Sequence, residues 1–251
     1  MVLGRVALVT GGAQGIGRSI ALRLARDGAA VAIFDRNRVA ADATAAEIRN
    51  LGRDATAFVG DVANPSDVKA AIKGIENDFG PIAVLINNAG ICRIAPAFEM
   101  SLEDFRETFR VNVEGVFIFC REVVPLMMNR RKGVIINMSS TAGKSGRPYR
   151  AAYSASKFAI IGFTQALAGE VAHLGIRVNA ICPGIVVETD MRREIEAAHR
   201  HYGLPETRDR EKAIPIGRAG QPEDVARVAA FLASDESAYI TGEALSVSGG
   251  L

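Results

Sequence analysis

The sequence predicts an α/β fold: a doubly wound parallel sheet of about seven strands, with helices on both faces. Three observations carry that expectation. Short, β-branched, almost continuously apolar runs recur along the chain, as strands buried on both faces of a parallel sheet require. Stretches with apolar residues at helical spacing separate them, and such alternation closes into βαβ units. A glycine-rich turn follows the first run, where a sheet of this kind presents its carboxyl ends to a ligand.

Strands are expected at Arg5 to Thr10, Ala30 to Asp35, Ala55 to Val59, Ile82 to Asn87, Gly133 to Met138, Ile176 to Ile181 and Ala244 to Val247. Ile16 to Asp27 and Val39 to Asn50 read as the first two helices, and longer helices surround Asn112 and Tyr153. No linker, low-complexity tract, charge block or fixed-period repeat interrupts the 251 residues, so 1–251 is expected to form one dinucleotide-binding catalytic domain. Within it, Thr189 to Arg218 reads as a lid over the substrate. Met191, Ile195, Ala198 and Tyr202 give that stretch one apolar stripe, and Gly184 and Gly217 bracket it.

Lys and Arg number 30 against 28 Asp and Glu. That balance offers no electrostatic reason to expect nucleic acid or an anionic membrane, and points to a small-molecule ligand. Cys92, Cys120 and Cys182 are widely spaced and form no Cys/His cluster, so no metal is expected and reduced thiols in a cytosol fit best. The apolar run Val6 to Val9 is too short for a signal-peptide core, and no later run could span a bilayer, so a cytoplasmic protein is expected.

The turn TGGAQGIG places Gly11, Gly15 and Gly17 where a backbone without side chains lets a pyrophosphate approach a helix N-terminus. Its GxxxGxG spacing differs from the general GxGxxG fingerprint, and two rival readings stand beside it: a merely tight turn, and a nucleoside-triphosphate P-loop with Arg18 in place of the lysine. Asp35, eighteen positions after Gly17, favours a dinucleotide, because its carboxylate would accept both adenosine ribose hydroxyls. The same charge would repel a 2′-phosphate and Gln14 brings no compensating cation, so NAD is expected; Arg36 is the residue that could receive a 2′-phosphate instead.

Tyr153 and Lys157 lie four apart on an expected helix and so share one face. Ser140 follows the fifth strand, where such a sheet displays catalytic groups. A free tyrosine titrates near pH ~10 and is a poor base at neutrality. A lysine at about 4 Å, at an effective dielectric near 20, favours the phenolate by roughly 4 kcal/mol, or about three pKa units. Tyr153 is therefore expected to exchange the substrate's proton, with Ser140 holding the same oxygen.

Glycine turn, NNAG at Asn87 to Gly90, Asn112, Ser140, Tyr153, Lys157, and PG at Pro183 and Gly184 occur in one order, and in that order the chain resembles the short-chain dehydrogenase/reductase family of the classical type over nearly its whole length. The resemblance implies a catalytic tetrad of Asn112, Ser140, Tyr153 and Lys157, with Lys157 also on the nicotinamide ribose and Asn112 holding a relay water. It implies cofactor contacts from Gly11, Gln14, Gly15, Ile16, Gly17, Asp35 and Arg36, from Asp61 and Val62 beside the adenine, from Asn88, Ala89 and Gly90 along the cleft, and from Pro183, Gly184, Val186 and Thr189 past the nicotinamide. PGIVVET carries one residue more than the family's common PGxxxT, which leaves either Thr189 or a backbone group to hold the carboxamide. A homotetramer is implied through the helices around Asn112 and Tyr153.

The expected activity is NAD-linked hydride transfer on a polyol, sugar or small hydroxy-ketone. A 3-oxoacyl carrier-protein reductase of the same family, and a catalytically idle dinucleotide-binding regulator, are the alternatives. His173, His199 and His201 are expected on solvated faces, Arg130 to Lys132 at a helix end, and Cys92 either toward substrate or in packing; Glu188 and Arg93 are candidate contacts to substrate hydroxyls.

Overall fold

The computed structural model describes residues 2–251. Its seven strands are β1 (Val6–Thr10), β2 (Ala30–Asp35), β3 (Ala55–Val59), β4 (Ile82–Asn87), β5 (Gly133–Met138), β6 (Ile176–Pro183) and β7 (Ala244–Val247). They form one parallel sheet in the order β3-β2-β1-β4-β5-β6-β7. The doubly wound sheet read from the sequence is therefore present. Two strand ends move: β1 starts at Val6, and pairing of Cys182 and Pro183 with β7 lengthens β6.

The helices are α1 (Gly15–Arg26), α2 (Arg38–Asn50), α3 (Pro65–Asp78), α4 (Leu102–Phe109), α5 (Gly115–Arg130), α6 (Ala151–Val171), α7 (Asp190–His201), α8 (Thr207–Glu211) and α9 (Pro222–Ala233). Side-chain alternation along β1 explains why both faces must be covered. Ala7 and Val9 enter a core with Ile20 and Leu24 of α1, Ile48 of α2 and Leu232 of α9. Val6 and Leu8 enter a second core with Ile75 of α3, Phe119 and Val123 of α5 and Ile160 of α6. Each fully buried Ile, Leu or Phe contributes roughly 1.5–3 kcal/mol of transfer free energy as an upper estimate.

Helix starts obey local chemistry. The Asn37 side chain accepts from the Ala40 amide at the head of α2, and Asn64 caps α3, whose first residue is proline. Between α4 and α5 one π-helical turn spans Arg110–Glu114. Strand order reverses between β1 and β4, so the crevice at their carboxyl ends is the natural ligand site. Among the described residues no helix is long and apolar enough to cross a membrane.

His199 departs from the sequence reading. It is buried rather than solvated, because α7 turns it toward the body of the protein, whereas His173 and His201 are exposed. Arg131 ends α5 in the left-handed conformation, and Arg130 bridges Glu76 of α3 at 2.8 Å, so this basic run ties two helices together.

Candidate active site

The glycine turn is shaped by close backbone approach. A Cβ on Gly17 would sit 2.1 Å from the Gly11 carbonyl oxygen, and one on Gly11 would sit 2.9 Å from the Ala89 Cα. Thr10 and Asn88 lock the turn to the NNAG loop. The Asn88 side-chain amide donates to the Thr10 and Gly11 carbonyls at 3.1 and 3.0 Å, while the Asn88 and Ala89 amides donate to the Thr10 hydroxyl at 3.0 and 3.1 Å. No side chain caps the N-terminus of α1, which leaves its first-turn N–H groups free to meet an anion.

Asp35, at the end of β2, is fixed from two sides. One carboxylate oxygen accepts from the Ala13 amide at 3.1 Å and the other from the Asn37 amide at 3.0 Å. Arg36 beside it is exposed. Asp61 accepts from the Ala63 amide and, at 2.7 Å, from Arg110. Burial works against its charge, but those two donors win and hold its carboxyl below the usual range.

These residues line a cavity of ≈ 530 Å³ that continues to Ser140, Tyr153 and Lys157. Every residue expected at the cofactor site, from Gly11 to Thr189, lies on its wall; Asn112 does not. Asn112 sits in the π-helical turn, wholly buried, with its amide protons spent on the Ile91 carbonyl and the Ser156 hydroxyl at 3.0 Å each. Its oxygen accepts from the Ile91 amide at 2.8 Å, so the side chain clamps the loop after NNAG.

Ser140 caps a short 3-10 turn, accepting from the Ala142 amide at 3.1 Å and donating to the Pro183 carbonyl at 3.5 Å, and its hydroxyl favours the Tyr153 phenolate. Lys157 Nζ donates to the Met138 carbonyl at 2.8 Å and lies 5.6 Å from the Tyr153 ring centroid. Burial opposes the shift expected from the sequence. It pushes the Tyr153 phenol up to about 12, against the Ser140 hydroxyl and the cations Arg150 and Arg192, and pushes the Lys157 ammonium down to about 8. Desolvation thus outweighs the pull of Lys157, whose ammonium is turned to the Met138 carbonyl.

Thr189 does not face the cavity with a free hydroxyl; it caps α7, accepting from the Arg192 amide at 3.1 Å, while its methyl group faces Gly15. The residue before it, Glu188, adopts a left-handed φ of 58°. Cys92 packs with Ala142, Tyr153 and Ile195, and burial pushes its thiol up to about 11, so it is an inert packing group. Arg93 pairs with Asp104 at 3.5 Å and Glu188 is exposed, which leaves neither on the cavity wall.

Among the wall residues that the sequence reading did not single out are two arginines beside Tyr153. Arg150 directly precedes α6, three positions before Tyr153, and Arg192 lies on α7 within the expected lid. Tyr149, just before Arg150, holds a left-handed φ of 62°, a conformation that costs a non-glycine residue about 1–3 kcal/mol and is typically stored at functional sites. The only signals in the sequence were an arginine three positions before Tyr153 and another in the first turn of the expected lid helix, which composition alone does not separate from surface charge.

The short chain dehydrogenase family model matches residues 5–200. The chain is 40% identical, over 252 residues covering 100% of it and 99% of the relative, to the 3-oxoacyl-[acyl-carrier-protein] reductase FabG of Staphylococcus aureus strain Mu50. Among solved structures it superposes on an NAD⁺-bound xylitol dehydrogenase with a TM-score of 0.94 at 36% identity, covering 99% of each chain. A protein described as an NAD(P)-dependent gluconate 5-dehydrogenase from Beutenbergia cavernae, with NADP at low occupancy, gives 0.91 at 37% identity, covering 99% of this chain and 97% of that one. With the glycine turn, NNAG loop, Ser140, Tyr153 and Lys157 gathered on one cavity, the chain belongs to the short-chain dehydrogenase family of oxidoreductases.

Proposed function

We propose that this enzyme transfers a hydride between NAD(H) and a secondary alcohol or ketone, drawn from polyols, sugars and small hydroxy-ketones, with Tyr153 exchanging the proton. The observation that carries the reading is the placement of the Ser140 and Tyr153 hydroxyls on the same cavity as the glycine cradle and Asp35. A dinucleotide suits that turn, which packs against the NNAG loop so closely that Gly11 and Gly17 tolerate no Cβ, leaving bare backbone on the cavity wall. When bound, NAD supplies the hydride acceptor. Ser140 and Tyr153 hold the substrate oxygen between them, and the phenol gives its proton to a ketone oxygen or takes one from an alcohol. Lys157, charged below about 8, stabilises the phenolate that forms. Asn112 acts as a positioning residue by clamping the Ile91 backbone, so any relay water there is held by main-chain groups.

NAD is favoured because the Ala13 and Asn37 amides fix the Asp35 charge where a 2′-phosphate would approach. The xylitol dehydrogenase and its bound NAD⁺ support this reading. A 3-oxoacyl carrier-protein reductase is the second reading, favoured by similarity to FabG. A screen of polyols, sugars, hydroxy-ketones and 3-oxoacyl thioesters with NAD(H) and NADP(H), followed at the nicotinamide absorbance, separates them: NADPH-linked turnover confined to 3-oxoacyl thioesters would overturn the first. Exposed Phe98, Leu102, Phe105, Phe117 and Phe158, on and around α4 to α6, support a homotetramer, and three buried free thiols support a cytoplasmic location.

A further inference from the structure

We propose that the substrate is an oxo or hydroxy acid, sugar acids included, whose carboxylate is held by Arg150 and Arg192 on the cavity wall beside Tyr153. This rests on the hydride-transfer reading and narrows its alcohol or ketone to one that also carries a carboxylate. Both arginines are nearly buried: Arg150 is 9% exposed and the Arg192 side chain 11%. Both share the wall with Ser140 and Tyr153.

Their donors are largely unspent. A guanidinium carries five N–H groups and no acceptor. Arg192 Nε reaches the Val186 carbonyl at 3.4 Å and Nη2 makes no hydrogen bond within the protein, while Nη1, also without a hydrogen bond, is shut away from solvent. The acid nearest that nitrogen, Glu196, stands 3.6 Å away, and its two oxygens already accept from the Thr207 amide and hydroxyl. Arg150 spends one donor, Nη2, on His199 Nε2 at 2.9 Å. His199 is neutral there: Nε2 must accept from a group that can only donate, so its proton lies on Nδ1, facing the Pro205 carbonyl at 2.7 Å. His199 thus orients Arg150 without adding charge or neutralising it.

Charge is also out of balance. Arg150, Arg192 and Arg210 act on one another across this region with Glu196 as their partly committed counter-charge, and burial with the Arg150 repulsion brings Arg192 down to about 10. Two desolvated cations left without full partners are costly unless an anion completes them. The planar fork of a guanidinium matches a carboxylate with paired hydrogen bonds. Ile91, Met191 and Ile195 supply apolar wall nearby, which suits the carbon chain between the carboxylate and the reacting carbon.

The test compares linear 2-, 3-, 4- and 5-oxo acids with their methyl esters as substrates for NADH oxidation. At least one acid should exceed its ester in kcat/KM by tenfold or more, and that ratio should fall toward one in Arg150→Gln and in Arg192→Gln. Titrations of pentanoate, pentanamide and inorganic phosphate onto the NADH complex give a second readout that needs no turnover and no variant: pentanoate should bind and pentanamide should not. Esters turned over as well as acids, with pentanoate no better than pentanamide, would overturn the proposal while leaving the oxidoreductase reading intact. Phosphate binding in place of pentanoate would overturn the carboxylate assignment. Loss of NADH affinity confined to Arg192→Gln would assign that arginine to the cofactor and equally overturn it. Turnover of no carbonyl compound, with pentanoate still bound, would count against the hydride-transfer reading and for the anion site.

Discussion

Replacing Asp35 with Asn removes one charge at a similar shape and forfeits one of its two backbone-amide hydrogen bonds, a loss common to both cofactors, so the NAD-to-NADP ratio reads the electrostatic part of cofactor choice. A 2′-phosphate carries roughly −1.5 to −2 charges at pH 7, taking a phosphomonoester's second ionisation near pH 6. At about 5 Å from the carboxylate, each unit of charge costs about 0.8 kcal/mol at the dielectric of water and about 3 kcal/mol at an effective value near 20. Asp35 is half-buried and held by two backbone amides, so it cannot swing away from an incoming phosphate, and the repulsion falls between these limits. The wild type should therefore favour NAD over NADP in kcat/KM by about tenfold or more, since tenfold needs only ~1.4 kcal/mol. Asp35→Asn should narrow that ratio by about eightfold or more, since roughly 1.5 charges even at the dielectric of water amount to about 1.2 kcal/mol. Raising salt should narrow it in the wild type and hardly at all in the variant, because screening acts on the charge that the variant lacks. Initial rates with both cofactors at two ionic strengths measure all three. Equal use of NAD and NADP by the wild type would refute the argument and show that exposed Arg36 overrides Asp35.

Tyr153→Phe should lower turnover by about 10²–10⁴-fold, as loss of an acid/base group does, while NADH fluorescence titration shows nearly unchanged affinity. Lys157→Met should be more stable than the wild type at pH 7 but lose that advantage at pH 9 to 10: the folded lysine titrates near 8, below its unfolded value, so its burial penalty is full below pH 8 and fades as pH rises toward 10. Urea unfolding at both pH values reads the difference, and a gap independent of pH would contradict it. If α7 and α8 form a lid, amide exchange across residues 191–213 should be fast in the free enzyme and slow with NADH plus a substrate analogue. Met191 and Ile195 already pack toward Tyr153, so full protection without ligands is the outcome that rejects the lid.

The sheet was legible because strands buried on both faces leave a period and composition that local sequence displays, and the starts of α2 and α3 because Asn37 and Asn64 cap them. The cofactor wall was legible for a related reason: tight turns at Gly11 and Gly17 require glycine whatever lies elsewhere. What escaped depends on three-dimensional encounters. His199 looks solvated among charges until α7 is laid against Arg150, and Arg192 looks like a helix-face cation until its guanidinium is found buried beside the catalytic tyrosine. Gly184, read as one bracket of a hinge, also approaches the chain end closely, where a Cβ would sit 2.9 Å from the Ser248 Cα. Pairwise spacing placed Tyr153 and Lys157 on one face; it could not say how much water the fold would strip from both.

That stripping decides the proton chemistry. With the phenol pushed up to about 12 and the lysine down to about 8, the pair at neutral pH is a neutral tyrosine beside a charged lysine, a state suited to giving a proton to a ketone oxygen. Taking a proton from an alcohol requires phenolate, which in this site is favoured by Ser140 and by the Arg150 and Arg192 cations. A carboxylate bound to those two arginines would cancel much of their field at the phenol and keep it protonated. The groups proposed to recognise an acid therefore also bias its chemistry, so the advantage of an acid over its ester should be larger for ketone reduction than for the reverse oxidation. Equal advantage in both directions would separate recognition from proton transfer and leave the arginines with the first role alone.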